Sequence, residues 1–482
     1  MKPFLLPTGI SAPLAVLDLP KSKPMTRVIS LVILFLATSS SLFAQLSPAI
    51  TSWLQNTTQT GTYYMRGNPT LINNGILVNC QSVQYSKSFV YISTMGIPAY
   101  PTGPFNDGNP SQAAAQNALF RFPLNPVEQT GTKTPTTLGN IGVFINGVAV
   151  FDYRDGVAWN TSTNSWCGGP GNPVCPGGVA TAQAWNRDAV VFERIGFDCS
   201  KGHPAMGNYH HHQNPSAFDL DVNVVSSICN LYDADGLYAI DPKQHSPLIG
   251  FAYDGFPIYG AYGYKNADGT GGVTRIKSGY MLRNITVRTH HADGTNVSDG
   301  PPVSATYPLG TFREDYEFVA HPGEADYLDV HNGRFCVTPE YPKGTYAYFC
   351  TVDANHNSAY PYVIGPTFYG VYANRKVSSI GETTTTYTAS VTSVDALDPA
   401  TAISVFPNPA SDLIAVQIHG LVNKVLQARL LDIQGRTLEY KIIQPGQTIV
   451  YFDTQSLYPG IYLVQLTAPE WEGKTVKVSV GN

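Results

Sequence analysis

Three glycine dipeptides, Asn146-Gly147, Asp254-Gly255 and Asn332-Gly333, each stand between two short apolar runs, and nothing else in the chain restricts the fold as strongly. The paired runs are Ile141 to Ile145 with Val148 to Tyr153, Ile249 to Tyr253 with Phe256 to Tyr259, and Tyr327 to His331 with Arg334 to Val337. Asn-Gly and Asp-Gly accept the positive φ values of tight hairpin turns, so each dipeptide predicts two antiparallel strands. Phe89 to Ser93 has the β-branched and aromatic content of another strand and ends at Gly96-Ile97-Pro98. The 44 Gly, 36 Pro and 29 Tyr favour short strands and many turns over long helices. Helical periodicity shows only around Gln112 to Phe120, which reads equally as a loop. A mainly β central domain is expected.

The two ends carry address labels. Met25-Thr26-Arg27 precedes a continuous apolar run from Val28 to Ala37, then a Ser-rich stretch ending Ser41-Leu42-Phe43-Ala44-Gln45. A basic start, a short apolar core and a small residue before the cut describe a secretory signal peptide, with translation starting at Met25 and the mature chain at Gln45. The run is too short to favour a membrane span, so none is expected in the mature chain. A Thr/Ser-rich linker is expected over residues 377–400. Beyond it, short apolar runs such as Leu413 to Ile418 and Ile461 to Leu466 alternate with turn signals, the pattern of a small immunoglobulin-like β-sandwich over residues 401–482. Phe406-Pro407-Asn408-Pro409, Asp432-Ile433-Gln434-Gly435-Arg436, Pro459-Gly460-Ile461-Tyr462 and the final Lys-Val strand resemble the C-terminal sorting domain (type A) of the type IX secretion system of Bacteroidetes-like bacteria. That resemblance implies export across the outer membrane, with the secretion machinery as partner, and release or attachment at the cell surface.

Four of the eleven histidines fall within Gly202-His203-Pro204-Ala205-Met206-Gly207-Asn208-Tyr209-His210-His211-His212. If Tyr209 to His212 is extended, alternation puts His210 and His212 on one face and Tyr209 and His211 on the other. A His-x-His pair on a strand suits zinc, copper or iron. The turn through Gly207 can return His203 as a third ligand. Asp254, or His245 near Pro247, can complete the site from another strand. Three protein ligands with one open position would be catalytic in style.

His203-Pro204, Tyr209 to His212, Ile249 to Gly260, Leu328-Asp329 with Asn332-Gly333-Arg334, Thr338 to Tyr348 and Gly142 to Gly147 together resemble the bacterial YHYH-domain family. The resemblance spans most of residues 45–376, with one departure: the family has Tyr where this chain has His211. It brings no established activity with it. The variable position at 211 agrees with a side chain pointing away from the site.

Other residues carry weaker chemistry. His290-His291 reads as a polar loop, and Asp233-Ala234-Asp235-Gly236 lacks the later acidic ligand of a calcium loop. Tyr341, Tyr346, Tyr348, Tyr360 and Tyr362 offer a sugar-binding face or plain sheet cover, and Glu340 with Asp329 a glycosidase couple of unknown separation. No G-x-S-x-G elbow, P-loop or H-E-x-x-H occurs. A net charge of −5, or −8 without the first 44 residues, and no basic run argue against nucleic acid as a partner. Of seven cysteines in a secreted chain, six are expected to pair, Cys167 with Cys175 first.

The expected architecture is therefore mainly β: residues 1–44 as N-terminal extension and signal peptide, a large β-rich domain over 45–376, the linker, and the small sandwich. The leading function is a secreted or surface protein with a transition-metal site, copper or zinc, on His203, His210 and His212, for oxidation, hydrolysis or metal capture. The rival is a non-catalytic surface module that binds glycans or a protein and whose histidines are structural.

Overall fold

The computed structural model describes residues 46–106, 112–218, 236–388, 403–418, 425–444, 446–468 and 471–481. The expected signal peptide, most of Asp233 to Gly236 and the end of the expected linker lie outside these residues.

Eight strands form the sheet that carries the histidines: β1 (Asn140–Phe144), β2 (Ala149–Phe151), β3 (Gly202–Ala205), β4 (Asn208–His211), β5 (Leu248–Ala252), β6 (Pro257–Tyr259), β7 (Gly333–Cys336) and β8 (Thr345–Phe349). Their spatial order is β3-β4-β2-β1-β5-β6-β8-β7. Neighbours are antiparallel except β4 beside β2 and β6 beside β8, which run parallel. A second, five-stranded sheet runs Lys376–Val377, Ala118–Pro123, Phe89–Thr94, Cys80–Tyr85 and Thr385–Tyr387. In Ala118–Pro123 alternate residues Ala118, Phe120 and Phe122 are buried, the period-two pattern of a strand with one face on a core. Phe122 from this sheet and Phe251 from β5 approach to 6.1 Å between ring centroids, with Trp53 against both. The two sheets thus close over one aromatic core.

Two of the three dipeptides join antiparallel strands as expected. Gly147 (φ 77°) turns β1 into β2, and Gly255 (φ 97°) turns β5 into β6. The third does not. Residues Tyr327 to His331 form no strand; Asp329 Oδ1 accepts the backbone N–H groups of His331 and Gly333, and Asn332 (φ 63°) completes a tight turn. An aspartate that satisfies the local backbone competes with ladder pairing, so only the residues after the turn continue as β7, which pairs with β8. Gln112 to Phe120 is likewise not a helix: its end enters the strand Ala118–Pro123, because pairing with Phe89–Thr94 outweighs a short periodic signal. Thr385–Tyr387, inside the stretch read as linker, pairs with Cys80–Tyr85.

Cys167 and Cys175 form the expected disulfide, and Cys199 is also disulfide-bonded. The expectation that six cysteines pair is wrong, because Cys80, Cys336 and Cys350 are free and buried. A buried thiol packs as a small apolar group and needs no partner. The C-terminal residues build a smaller sandwich, whose Ala415 and Ile449 pack with Ala239. One sheet holds Ile403–Phe406, Leu413–Ile418 and Ile449–Asp453, the other Thr437–Ile443, Leu426–Asp432, Gly460–Ala468 and Trp471–Val480. Ile414, Val416, Leu430, Phe452 and Val464 fill the space between them. Among the described residues no helix is long and apolar enough to cross a membrane.

Candidate metal centre

The histidine segment folds into a hairpin. Met206 (φ 49°) and Gly207 (φ 84°) supply two consecutive positive φ values, and β3 pairs with β4 so that His203 lies directly opposite His210. A two-residue turn with both φ positive matches the twist of the flanking strands. His212 lies just past the end of β4. Gly202 opposes His211, and a Cβ there would come within 2.3 Å of Tyr209 Oη and 2.9 Å of His211 Cε1. Only glycine leaves room for those two side chains.

The five side chains, Tyr209 and the four histidines, divide as strand alternation requires. Tyr209 donates its hydroxyl to Asp198 Oδ2 (2.8 Å), and His211 Nε2 meets Tyr100 Oη (2.8 Å), both on the far face. His203, His210 and His212 share the other face, are buried, and offer ligand nitrogens that all lie within 4.8 Å of one another. His210 Nε2 stands 3.0 Å from His212 Nε2, which stands 3.4 Å from His203 Nε2. Phe151 stacks on His210 at 3.6 Å and Phe197 packs edge-on to His203 at 4.9 Å, which restricts both rings.

Backbone carbonyls set the tautomers. His210 Nδ1 donates to Asn208 O (2.8 Å), and His212 Nδ1 donates to Asp152 O (2.5 Å). A carbonyl can only accept, so each Nδ1 carries a proton, and in its neutral form each ring turns an Nε2 lone pair toward the other. Two lone pairs at 3.0 Å repel unless a cation lies between them. Donors held about 2.0–2.1 Å from a tetrahedral ion stand about 3.3–3.4 Å apart, close to these separations. The carbonyls beside the rings are the outer-shell acceptors that metal-bound histidines commonly have.

Glu193 joins the group, and sequence reasoning missed it. Its Oε2 lies 3.1 Å from His212 Nε2 and 3.3 Å from His203 Nε2. The same oxygen is buried and makes no hydrogen bond of sound geometry. It follows the short helix Ala189–Phe192, whose first turn is capped by Asp188 Oδ1 accepting from Val190 N (2.8 Å). Nothing in that local sequence distinguishes Glu193 from a surface glutamate, and the only signal is its place at the end of an Asp-capped apolar turn. Burial alone would raise its carboxyl, but the adjoining His203 and His212 rings hold it well below the usual carboxylate range. Burial pushes His210 far down, with His203 and His212 adding to the effect. Burial also opposes a charge on His212, but Glu193 outweighs it and raises that ring. The cluster is thus a mostly buried group of three imidazoles and one carboxylate, donor types that transition-metal ions accept.

The remaining candidates lie elsewhere. Asp254 is a turn residue: Oδ2 accepts from Tyr348 Oη (2.5 Å) and Gly370 N (2.8 Å), and Oδ1 accepts from Phe256 N. His245 donates Nδ1 to Ser246 O (2.7 Å) and packs against Tyr259, Tyr264 and Phe349. Neither belongs to the ligand cluster, because each is committed to the strands around β6 and β8. His291 Nε2 meets Ala184 O, and His290 meets Thr289. Tyr346, Tyr348, Tyr360 and Tyr362 are buried and form no surface sugar face. Glu340 and Asp329 accept from different tyrosines, Tyr259 and Tyr346.

Residues 119–360 match the family described as YHYH protein. Residues 404–480 match the secretion system C-terminal sorting domain. A solved structure of a DUF3244-family protein with an immunoglobulin-like β-sandwich fold from Bacteroides vulgatus is 15% identical, over 16% of this chain and 81% of that one, at a TM-score of 0.14. No curated protein matches.

Proposed function

This chain belongs to the YHYH protein family and ends in a secretion sorting domain, and on that footing we propose that it is a secreted or surface-attached transition-metal protein. Its ligands are His203, His210, His212 and Glu193. The observation that carries this reading is the pair of facing Nε2 atoms whose Nδ1 protons are already fixed on Asn208 O and Asp152 O. Imidazole suits zinc and copper equally well, and a single carboxylate fits either ion. The histidines are at most 6% exposed, whereas the Glu193 side chain is 26% exposed, so solvent or a substrate reaches the ion past Glu193. The competing assignment, histidines that serve packing alone, requires a proton on His212 Nε2, held in a buried pocket between Glu193 and His210.

Metal content is the direct test. The full secreted chain, purified after growth with zinc and copper supplied, is expected to retain about one ion per molecule. The His210→Ala/His212→Ala variant is expected to retain almost none. Equal and negligible metal in both proteins refutes the proposal.

A further inference from the structure

The C-terminal sandwich is covered on a face that a free sandwich would expose. In its three-stranded sheet Ile414, Val416, Val450 and Phe452 belong to the sandwich core. Strand alternation therefore turns Leu413, Ala415, Gln417, Ile449 and Tyr451 outward. The register aligns these residues in two rows across the strands, Phe406 with Ala415 and Tyr451, and Ser404 with Gln417 and Ile449. An outer sheet face in contact with water is ordinarily polar. Here it is mostly apolar, and Ala415 and Ile449 are 0% and 1% exposed. On the outer face of the other sheet, by contrast, Tyr440 is 61% exposed.

The central domain covers that face through three contacts. Ala239 packs with Ala415 and Ile449, and Phe406, Leu413 and Tyr451 surround them. Gln244 Nε2 donates to Ser404 Oγ (2.9 Å) in one of the same two rows. Beyond the strand Thr437–Ile443, Gly446 approaches Asn79 so closely that a Cβ there would stand 2.8 Å from Asn79 Nδ2. Asn79 immediately precedes Cys80–Tyr85, the strand that Thr385–Tyr387 pairs with on the way to the sandwich. The contacts therefore come from two separate segments of the central domain, around residues 79 and 239–244. Alanine on both sides of the middle contact lets the two backbones come close, and a bulky charged side chain at either position would hold them apart. We propose that the outer face of this sheet is a docking surface for the chain's own central domain, and that it keeps the sorting sandwich bound after the linker is cut. Cleavage alone then does not release the sorting domain; the docked face must also be opened. The inference does not depend on the metal reading.

The test uses the full chain with a protease recognition sequence placed within residues 389–400. After cutting, the two parts of the otherwise unchanged chain are expected to co-elute in size-exclusion chromatography at micromolar concentration. Ala415→Arg and Ala239→Arg, made separately, are each expected to weaken the association by about tenfold or more, so that the sandwich elutes alone. Ala239→Arg leaves the sandwich sequence intact and Ala415→Arg leaves the central domain intact, so misfolding of one part does not explain release by both. Thr475→Arg, at an exposed position of the other sheet, is expected to co-elute as the unchanged chain does. Separation of the unchanged parts on cutting, co-elution in either alanine variant, or release by Thr475→Arg overturns the proposal.

Discussion

Replacing Glu193 with glutamine keeps the shape of the side chain and removes its charge, which makes it the sharpest perturbation of the proposed centre. The Glu193 oxygen stands 3.1 and 3.3 Å from two of the imidazole nitrogens, so an ion held by those nitrogens lies within bonding reach of it. Removing one member of a buried charge pair costs about 3–5 kcal/mol, and the 26% exposure of this side chain places the effect at the lower end, about 3 kcal/mol. That corresponds to a rise in Kd of about 100-fold. Chelator-treated wild type and Glu193→Gln, each titrated with Zn²⁺ against a chromophoric chelator, give the two constants directly. Thermal unfolding supplies an independent readout. At a free zinc concentration 100 times the wild-type Kd, the ion stabilises the wild type by about 2.7 kcal/mol and the variant by only about 0.4 kcal/mol. Two Kd values within twofold of each other refute the role of Glu193 while leaving a three-histidine site standing. No zinc binding by the wild type refutes the site as a whole.

Two further outcomes follow from local geometry. Met206 is fully exposed at φ 49°, a left-handed conformation that is unfavourable for a residue with a Cβ and least so for asparagine. Met206→Asn is therefore expected to stabilise the chain by about 0.5–1 kcal/mol, read from the urea midpoint, with metal affinity unchanged. Burial pushes His245 down to about 4, so the folded chain keeps this ring neutral while the unfolded chain protonates it near its ordinary value. The unfolded state then binds more protons between about pH 6.5 and pH 4, and stability is lost as pH falls through that window, by up to about 3 kcal/mol from this residue. In His245→Phe the difference in unfolding free energy between pH 7 and pH 4 is expected to shrink by about that amount, and an unchanged difference contradicts the assignment.

Much of this architecture was legible because it rests on local rules. Gly147 and Gly255 need positive φ, so Asn146-Gly147 and Asp254-Gly255 announced their hairpins. The period-two spacing of His210 and His212 fixed which rings share a face, and His203 came back opposite His210 through a two-residue turn. Asn332-Gly333 misled because Asp329, three residues before the dipeptide, captures the backbone N–H groups that a strand would have paired. Asp254 keeps the turn role that Asp-Gly announces, and its carboxylate serves that turn and Tyr348, outside the histidine cluster. Cys336 and Cys350 remain thiols because burial, and no partner cysteine, accounts for them.

The parts of the centre that decide its chemistry are those a sequence displays least. Asn208 and Asp152 act on the histidines through main-chain carbonyls, which every residue possesses, so no side-chain pattern could reveal that both Nδ1 positions are taken. Without those two bonds, either ring could protonate Nε2 and the pair could share an ordinary hydrogen bond. With them, the facing lone pairs need a proton or a metal ion. The proton would sit on His212, the ring that Glu193 raises, because burial and the neighbouring rings disfavour a charge on His210. Glu193 then matters for balance: it brings the negative charge that lets a divalent ion sit among three imidazoles and the rings of Phe151 and Phe197. Its position depends on Asp188 capping a four-residue helix, and that helix reaches the hairpin only in the folded chain.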